Sequence, residues 1–125
     1  MLITTKKLIV KTSFEVERSA TIDFMIDNGA VYSLVPRKIL DELGIKPYRT
    51  LDFSLVDGSI IKRRIGDAYF ELNGTGGASP VIYGEEGDDA LSGATILEAL
   101  GLVLNPFTRE LYPMQMFIGR ALRAG

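Results

Sequence analysis

Phe24-Met25-Ile26-Asp27-Asn28-Gly29-Ala30-Val31-Tyr32-Ser33-Leu34-Val35-Pro36 is the stretch on which the reading of this chain turns. Its first residues continue an alternation in which Ala20, Ile22, Phe24 and Ile26 are apolar, with Thr21 and Asp23 between them. A period of two, rich in β-branched and aromatic residues, reads as a strand. That strand runs into Asp27-Asn28-Gly29-Ala30, and a second strand-like stretch, Val31-Tyr32-Ser33-Leu34-Val35, follows. Pro36 then opens a short helix, because its fixed φ suits a first helical turn. Ile39, Leu40 and Leu43 form the apolar face of that helix, and Gly44 is suited to end it in a left-handed conformation. Asn-Gly between two alternating stretches is also a strong hairpin signal, so on local pattern alone Asp27-Asn28-Gly29 reads first as a plain turn.

Outward from this segment the chain is a series of short strands. On the N-terminal side, Leu8, Val10, Phe14 and Val16 alternate with Lys11, Ser13 and Glu15, and Glu17-Arg18-Ser19 turns the chain into the strand at Ala20. On the C-terminal side, Leu51, Phe53 and Leu55 alternate over 51–57, and Asp57-Gly58 is a tight-turn signal. Ile60 to Leu72 resumes as strand. Asn73-Gly74-Thr75-Gly76-Gly77 reads as a loop, Val81-Ile82-Tyr83 as a short strand, and Gly84 to Asp89 as an acidic loop. A second helix spans about 95–100 and stops at Gly101. Val103-Leu104 and 110–118 read as closing strands around an Asn105-Pro106 turn, and 120–125 as a loose tail. Many short strands with two short helices and no dividing linker predict one all-β domain, a closed barrel-like sheet over 1–125 with its core at about 8–118.

Composition narrows the chemistry. The chain has 125 residues, 46% apolar and 24% charged, which suits one core in one domain. A net charge of −2, with acids and bases mixed, offers no footprint for nucleic acid and no basic face for a membrane. The apolar runs are short and the first residues lack a signal peptide's basic-then-apolar order, so a cytoplasmic location is expected. There is no histidine and no cysteine. Disulfides, cysteine zinc sites, Ser-His-Asp triads and Cys-His dyads are therefore excluded, which moves carboxylate chemistry up the list.

The two helices echo each other. Ile39-Leu40-Asp41-Glu42-Leu43-Gly44-Ile45 matches Ile96-Leu97-Glu98-Ala99-Leu100-Gly101-Leu102, and each follows a Gly-Ala pair, Gly29-Ala30 and Gly93-Ala94. Short amphipathic helices converge on such a pattern because it buries and caps well. The alternative is a fold with two related halves about a pseudo-twofold axis. The first half carries Asp27 before its Gly-Ala; the second has Leu91-Ser92 there and no acid. A carboxylate pair is missing within one chain, and a twofold axis between two copies would supply it.

The segment from Phe24 to Pro36 resembles the active-site segment of retroviral-type (retropepsin-like) aspartic proteases and their bacterial and archaeal relatives: two hydrophobic residues, Asp, Thr or Ser, Gly, Ala, then a strand. Leu91-Ser92-Gly93-Ala94-Thr95 through Leu104-Asn105-Pro106 resembles the second signature of that family, and Asp57-Gly58-Ser59 falls where its flap hairpin would be. The resemblance covers about residues 8 to 116. It implies a homodimeric endopeptidase without cofactor or metal, acting on peptides or unfolded protein through Asp27 of each copy. One carboxylate would take a proton from a shared water and the other would polarise the scissile carbonyl. Gly29 would let the backbone approach the pair and aim its N–H at the carboxylate, Ala30 would keep the loop small, and Val56, Asp57, Gly58, Ser59 and Ile60 would close over the substrate. Leu91, Ser92 and Gly93 would form the supporting loop.

Two positions depart from the pattern. Asn28 stands where the family has Thr or Ser; its amide can also donate and accept, but it is bulkier and its polar atoms lie one bond further out. Ser92 replaces the second hydrophobic residue. Asn28 leaves room for a catalytically weak or inactive dimerisation or peptide-binding module on the same fold, and an unrelated small β-barrel binding domain is the third reading. Other signals are weaker. Gly74-Thr75-Gly76-Gly77 lacks the helix that a phosphate loop needs. Glu85-Glu86-Gly87-Asp88-Asp89 lacks Ca²⁺-loop spacing. Lys62-Arg63-Arg64 reads as a solvated strand face that would touch substrate if the flap reading holds, and Tyr32 and Phe24 read as core.

Overall fold

Alternating apolar residues fix which side of each strand faces inward, and the pairing register then fixes the sheet. The computed structural model describes residues 3–15, 18–27 and 29–115. Along the chain it places β1 (Thr4–Lys11), β2 (Ser19–Ile26), β3 (Leu34–Pro36), α1 (Arg37–Glu42), β4 (Arg49–Ser54), β5 (Ile60–Leu72), β6 (Thr75–Gly84), β7 (Leu91–Ser92), α2 (Ala94–Leu100), β8 (Leu102–Leu104) and β9 (Leu111–Pro113). The fold is all-β with two short helices, as the alternation predicts. A seven-stranded sheet runs β1-β2-β7-β3-β6-β5-β4, and β1 also pairs with β5, which closes the strands into a ring with β4 hung on β5. β8 and β9 form a separate two-stranded sheet.

The helix echo extends to the whole fold. The offset that carries Ile39 to Ile96 also carries β1 into β5, β2 into β6, β3 onto β7 and α1 into α2. It carries Gly44 (φ 77°) onto Gly101 (φ 67°), so both helices are followed by a left-handed glycine. It also preserves register. The parallel pairs Leu34–Ile82 and Val35–Tyr83 become Leu91–Met25 and Ser92–Ile26, which are the observed parallel pairs of β2 with β7. Leu34 and Leu91 are counterparts and pair with each other, antiparallel, at the pseudo-axis. This symmetry changes one detail of the sequence reading: Gly93 caps α2 as Pro36 caps α1, and the two Gly-Ala pairs are not counterparts.

The core lies between the ring and the helices. Leu8, Val10, Phe24, Val35, Phe70, Val81 and Tyr83 come from the strands, Leu40 from α1, and Ile96, Leu97 and Leu100 from α2. Phe24 meets Phe70 edge-on with centroids 5.9 Å apart. Fully burying one such side chain contributes about 1.5–3 kcal/mol. Tyr83 brings a hydroxyl into this core and satisfies it by donating to the Ile45 carbonyl at 2.8 Å; burial pushes its phenol above the ordinary value.

Several expected boundaries move. The first strand ends at Lys11, so Phe14 is exposed and leans on Tyr69 at 6.1 Å instead of continuing the alternation; Val16 lies outside the described residues. The predicted strand over 31–35 shortens to β3. The predicted loop at 73–77 is a tight Asn73-Gly74 turn, and Thr75, Gly76 and Gly77 already belong to β6. Those two glycines are there for space: a Cβ on Gly77 would lie 2.2 Å from the Ala99 carbonyl of α2, and one on Gly76 2.2 Å from the Tyr69 hydroxyl. Of the predicted closing strand over 110–118, β9 covers Leu111–Pro113, and 116–118 lie outside the described residues, as does the tail over 120–125.

Candidate active site

Asp27 follows the last residue of β2, where the chain leaves the sheet beside β7. Its N–H donates to the Ser92 carbonyl at 3.0 Å, extending the β2–β7 pairing by one step. Its carbonyl accepts the Ala30 N–H at 3.2 Å. Its carboxylate is exposed, and Oδ1 accepts the Gly29 N–H at 3.0 Å. A Cβ on Gly29 would lie only 3.2 Å from that oxygen, so glycine allows the approach. The N–H expected to aim at the carboxylate does so within a single chain. Asn28 lies outside the described residues.

The loop is held from behind by the N-terminal end of α2. Ala94 N–H donates to the Ala30 carbonyl at 2.7 Å and Thr95 N–H to the Val31 carbonyl at 3.1 Å. Ser33, fully buried, accepts the Gly93 N–H on Oγ at 2.9 Å, and that Oγ is 2.9 Å from Thr95 Oγ1. Gly93 cannot be larger, because a Cβ there would lie 2.3 Å from the Tyr32 carbonyl and 2.8 Å from the Ala30 carbonyl. The structure therefore brings the two sequence signatures together: Leu91, Ser92 and Gly93 brace the loop of Asp27, Gly29 and Ala30. Ser33 and Thr95 complete this clasp and were not singled out by the sequence reading. The available signal was a lone serine inside the apolar stretch 31–35.

The predicted flap is a hairpin. β4 and β5 pair from Arg49–Ile65 to Ser54–Ile60, and Leu55 to Ser59 form its tip. Gly58 turns the chain at φ 87°. Asp57 accepts both the Ser59 hydroxyl at 2.6 Å and the Ser59 N–H at 2.9 Å, and these bonds hold its carboxyl below its usual 3.8. Val56 and Ile60 are exposed at the tip with no apolar cover. The hairpin meets the candidate loop through Phe53 and Tyr32, whose rings cross edge-on at 5.6 Å. Tyr32 is thus not a core residue but a half-buried wall of the site.

Between the loop and the hairpin lies an apolar groove of about 480 Å³. Ala30, Tyr32, Leu34, Phe53, Ile61 and Ile82 are among its walls, and Arg63 and Asp88 are its charged members. A cavity of about 500 Å³ among Lys6, Lys7, Leu72 and Leu111 is slightly larger, but none of the candidate residues lines it. The basic run divides: Lys62 points out to Asp52 at 2.9 Å, Arg63 turns into the groove, and the Arg64 guanidinium lies 5.0 Å from the Tyr83 ring centre. The acidic loop is held at Glu85, 3.5 Å from Arg37, and at Asp88. No cluster of three potential metal ligands occurs among the described residues, and no helix among them is long and apolar enough to cross a membrane.

An exposed carboxylate fixed by a backbone N–H, in a loop whose Ala30 lines an apolar groove under a hairpin, is suited to holding an extended peptide near an acid–base group. No family model matches the sequence, and the search of curated proteins found no match. Among solved structures, the fold is similar to that of the protease of Simian Foamy Virus (mac) in solution, with a TM-score of 0.51. The two are 16% identical, and the match covers 74% of this chain and 92% of the viral one. The likeness is one of fold, and that fold is a retroviral protease's.

Proposed function

We propose that this chain is half of an aspartic endopeptidase, completed when a second copy brings its own Asp27 across a twofold axis. The observation that carries the reading is the placement of Asp27: an exposed carboxylate directly after β2, oriented by Gly29 N–H, tied through its backbone to Ser92, and three residues before Ala30, which lines an apolar groove. The likeness to a viral protease supports the same reading at the level of fold.

Two carboxylates a few ångströms apart resist double ionisation, so the pair holds one proton over a wide pH range and titrates as a unit. The ionised member takes a proton from the shared water, which attacks the peptide carbonyl. The protonated member polarises that carbonyl and then passes its proton to the leaving nitrogen. The groove takes a side chain of the substrate, and the 55–60 hairpin closes over its backbone to exclude water. The test is cleavage of an unfolded protein at mildly acidic pH, with Asp27→Ala as the control. Cleavage lost in the variant supports the reading, and equal cleavage by both proteins rejects it.

Asn28 motivates a second reading, a peptide-binding module of the same fold with little or no catalysis, because displacing reacting groups by about 1 Å costs about 100-fold in rate. Asn28→Thr separates the two. A large gain in cleavage means that position 28 limits a real active site, whereas no cleavage by either protein, with peptide binding retained, favours the module.

A further inference from the structure

Arg63 occupies a position that alternation reserves for an apolar side chain. It lies on β5 between Ile61, which also lines the groove, and Ile65, which is fully buried, so all three share the inward face. A cation placed there needs partners, and Arg63 is only partly supplied. Nη1 donates to the Lys62 carbonyl at 3.1 Å. Nη2 is 3.7 Å from Asp88 Oδ2, an ion pair too long to be a hydrogen bond. Nε is buried and has no partner among the described residues. Asp88 is also incompletely used: Oδ2 accepts the Glu85 N–H at 2.8 Å, and Oδ1 makes no bond among the described residues.

We propose that Arg63 and Asp88 are the specificity-determining end of the groove and take the carboxamide tip of a glutamine or asparagine side chain from an extended peptide. Nη2 makes no hydrogen bond among the described residues and presents its donors on the edge of the planar guanidinium that it shares with the shielded Nε. Asp88 presents an acceptor beside them. The complementary tip offers one acceptor and one donor, as a carboxamide does: its oxygen faces Arg63 and its NH₂ faces Asp88. A carboxylate tip would satisfy Arg63 but set its charge against Asp88. An ammonium tip would satisfy Asp88 but oppose Arg63. An apolar tip would fill the groove and cut Nη2 off from water without replacing its bond, which is the costly outcome for a desolvated donor. The walls, Tyr32, Leu34, Phe53 and Ile82, suit the methylene stem that precedes such a tip. That the bound peptide is a substrate rests on the endopeptidase reading; that the groove selects a carboxamide does not.

The experiment uses the full chain carrying Asp27→Ala, so that a bound peptide is not cut. Three capped peptides, identical except for Gln, Glu or Met at one central position, are titrated while the backbone amide signals of Tyr32, Leu34 and Ile82 are followed. The Gln peptide is expected to bind about tenfold more tightly than the other two, the value of one well-made charge-assisted bond. Arg63→Met is expected to abolish the preference while still binding the Met peptide. Arg63→Lys, which keeps the charge but not the planar edge, is also expected to lose it. Equal or tighter binding of the Glu or Met peptide, a Gln preference that survives both Arg63 variants, or no perturbation at the groove by any peptide overturns the proposal. Failure of the endopeptidase reading looks different: no cleavage by the unsubstituted protein, with the Gln preference intact.

Discussion

The two halves of the molecule share a path but not a chemistry. β1-β2-β3-α1 and β5-β6-β7-α2 superimpose in order and in register across the Leu34–Leu91 pair. Yet where the first half leaves β2 with Asp27, the second leaves β6 with the buried Gly84. The loops that follow are held differently as well. The loop after Asp27 is tied to α2 by two backbone N–H donors and by the Ser33 hydroxyl, whereas the loop after Gly84 is held by Glu85 and Asp88, with side chains of opposite charge from α1 and β5 nearby. α2 is also the better buried helix, with Ile96, Leu97 and Leu100 inside against Leu40 alone for α1. One half is arranged to hold a carboxylate still, and the other supplies the frame that holds it.

The largest test of this division is Asp27→Asn. It removes the charge but leaves the loop's backbone bonds, so peptide cleavage is expected to fall by on the order of 10⁴-fold or more with the unfolding midpoint almost unchanged. Parallel cleavage assays and urea melts check both parts. A fall in stability that matched the fall in activity would instead make Asp27 a structural residue.

Gly93→Ala strikes the frame. Its new methyl would meet two carbonyl oxygens of the loop at 2.3 and 2.8 Å, and backbone cannot yield as a flexible side chain can. A loss of about 3 kcal/mol in unfolding free energy is expected, measured by urea denaturation. Ser33→Ala is milder. It leaves the Gly93 N–H without its acceptor, at about 1–3 kcal/mol, and reduces cleavage through the loop it positions. If Ser33→Ala left both stability and activity untouched, the clasp between the halves would have no energetic content.

The smallest effect concerns the hairpin tip. Asp57 is held below its usual 3.8 by the Ser59 hydroxyl and N–H, so its folded value lies below its unfolded one. A depressed carboxyl contributes above the unfolded value and loses that contribution as pH falls through the folded value. The tip should therefore be fully ordered above about pH 4 and loosen only below it, in faster exchange and shifted signals of the Ser59 amide. Asp57→Ala should give that behaviour at every pH, with little change in overall stability because the tip is exposed.

Much of this arrangement was legible in the sequence where one residue type decides a local conformation. Pro36 marked the start of α1, although it ends β3 and caps the helix with an extended ψ of 132° instead of forming its first turn; Gly44 and Gly101 ended the two helices, Asp57-Gly58 turned the hairpin, and the alternation at Ala20 to Ile26 marked β2. What could not be read depends on neighbours distant in sequence. Gly76 and Gly77 looked like loop because their role is to admit Tyr69 and α2, which composition does not encode. Tyr32 looked like core until Phe53 placed it at the groove. Lys62-Arg63-Arg64 looked like one solvated run, although alternation sends Arg63 inward and Lys62 outward. Asp27 was visible as a candidate, whereas its clasp from Ser33 and Thr95 required the closeness of β3 and α2.

Whether one chain suffices is decided most directly by measuring specific cleavage activity against protein concentration, with molecular mass followed in the same samples. A shared dyad requires activity per chain to fall on dilution in step with the loss of a two-copy species. It also requires an excess of Asp27→Asn chains to poison the unsubstituted protein. Constant activity per chain at monomeric mass, untouched by the inactive variant, would contradict it.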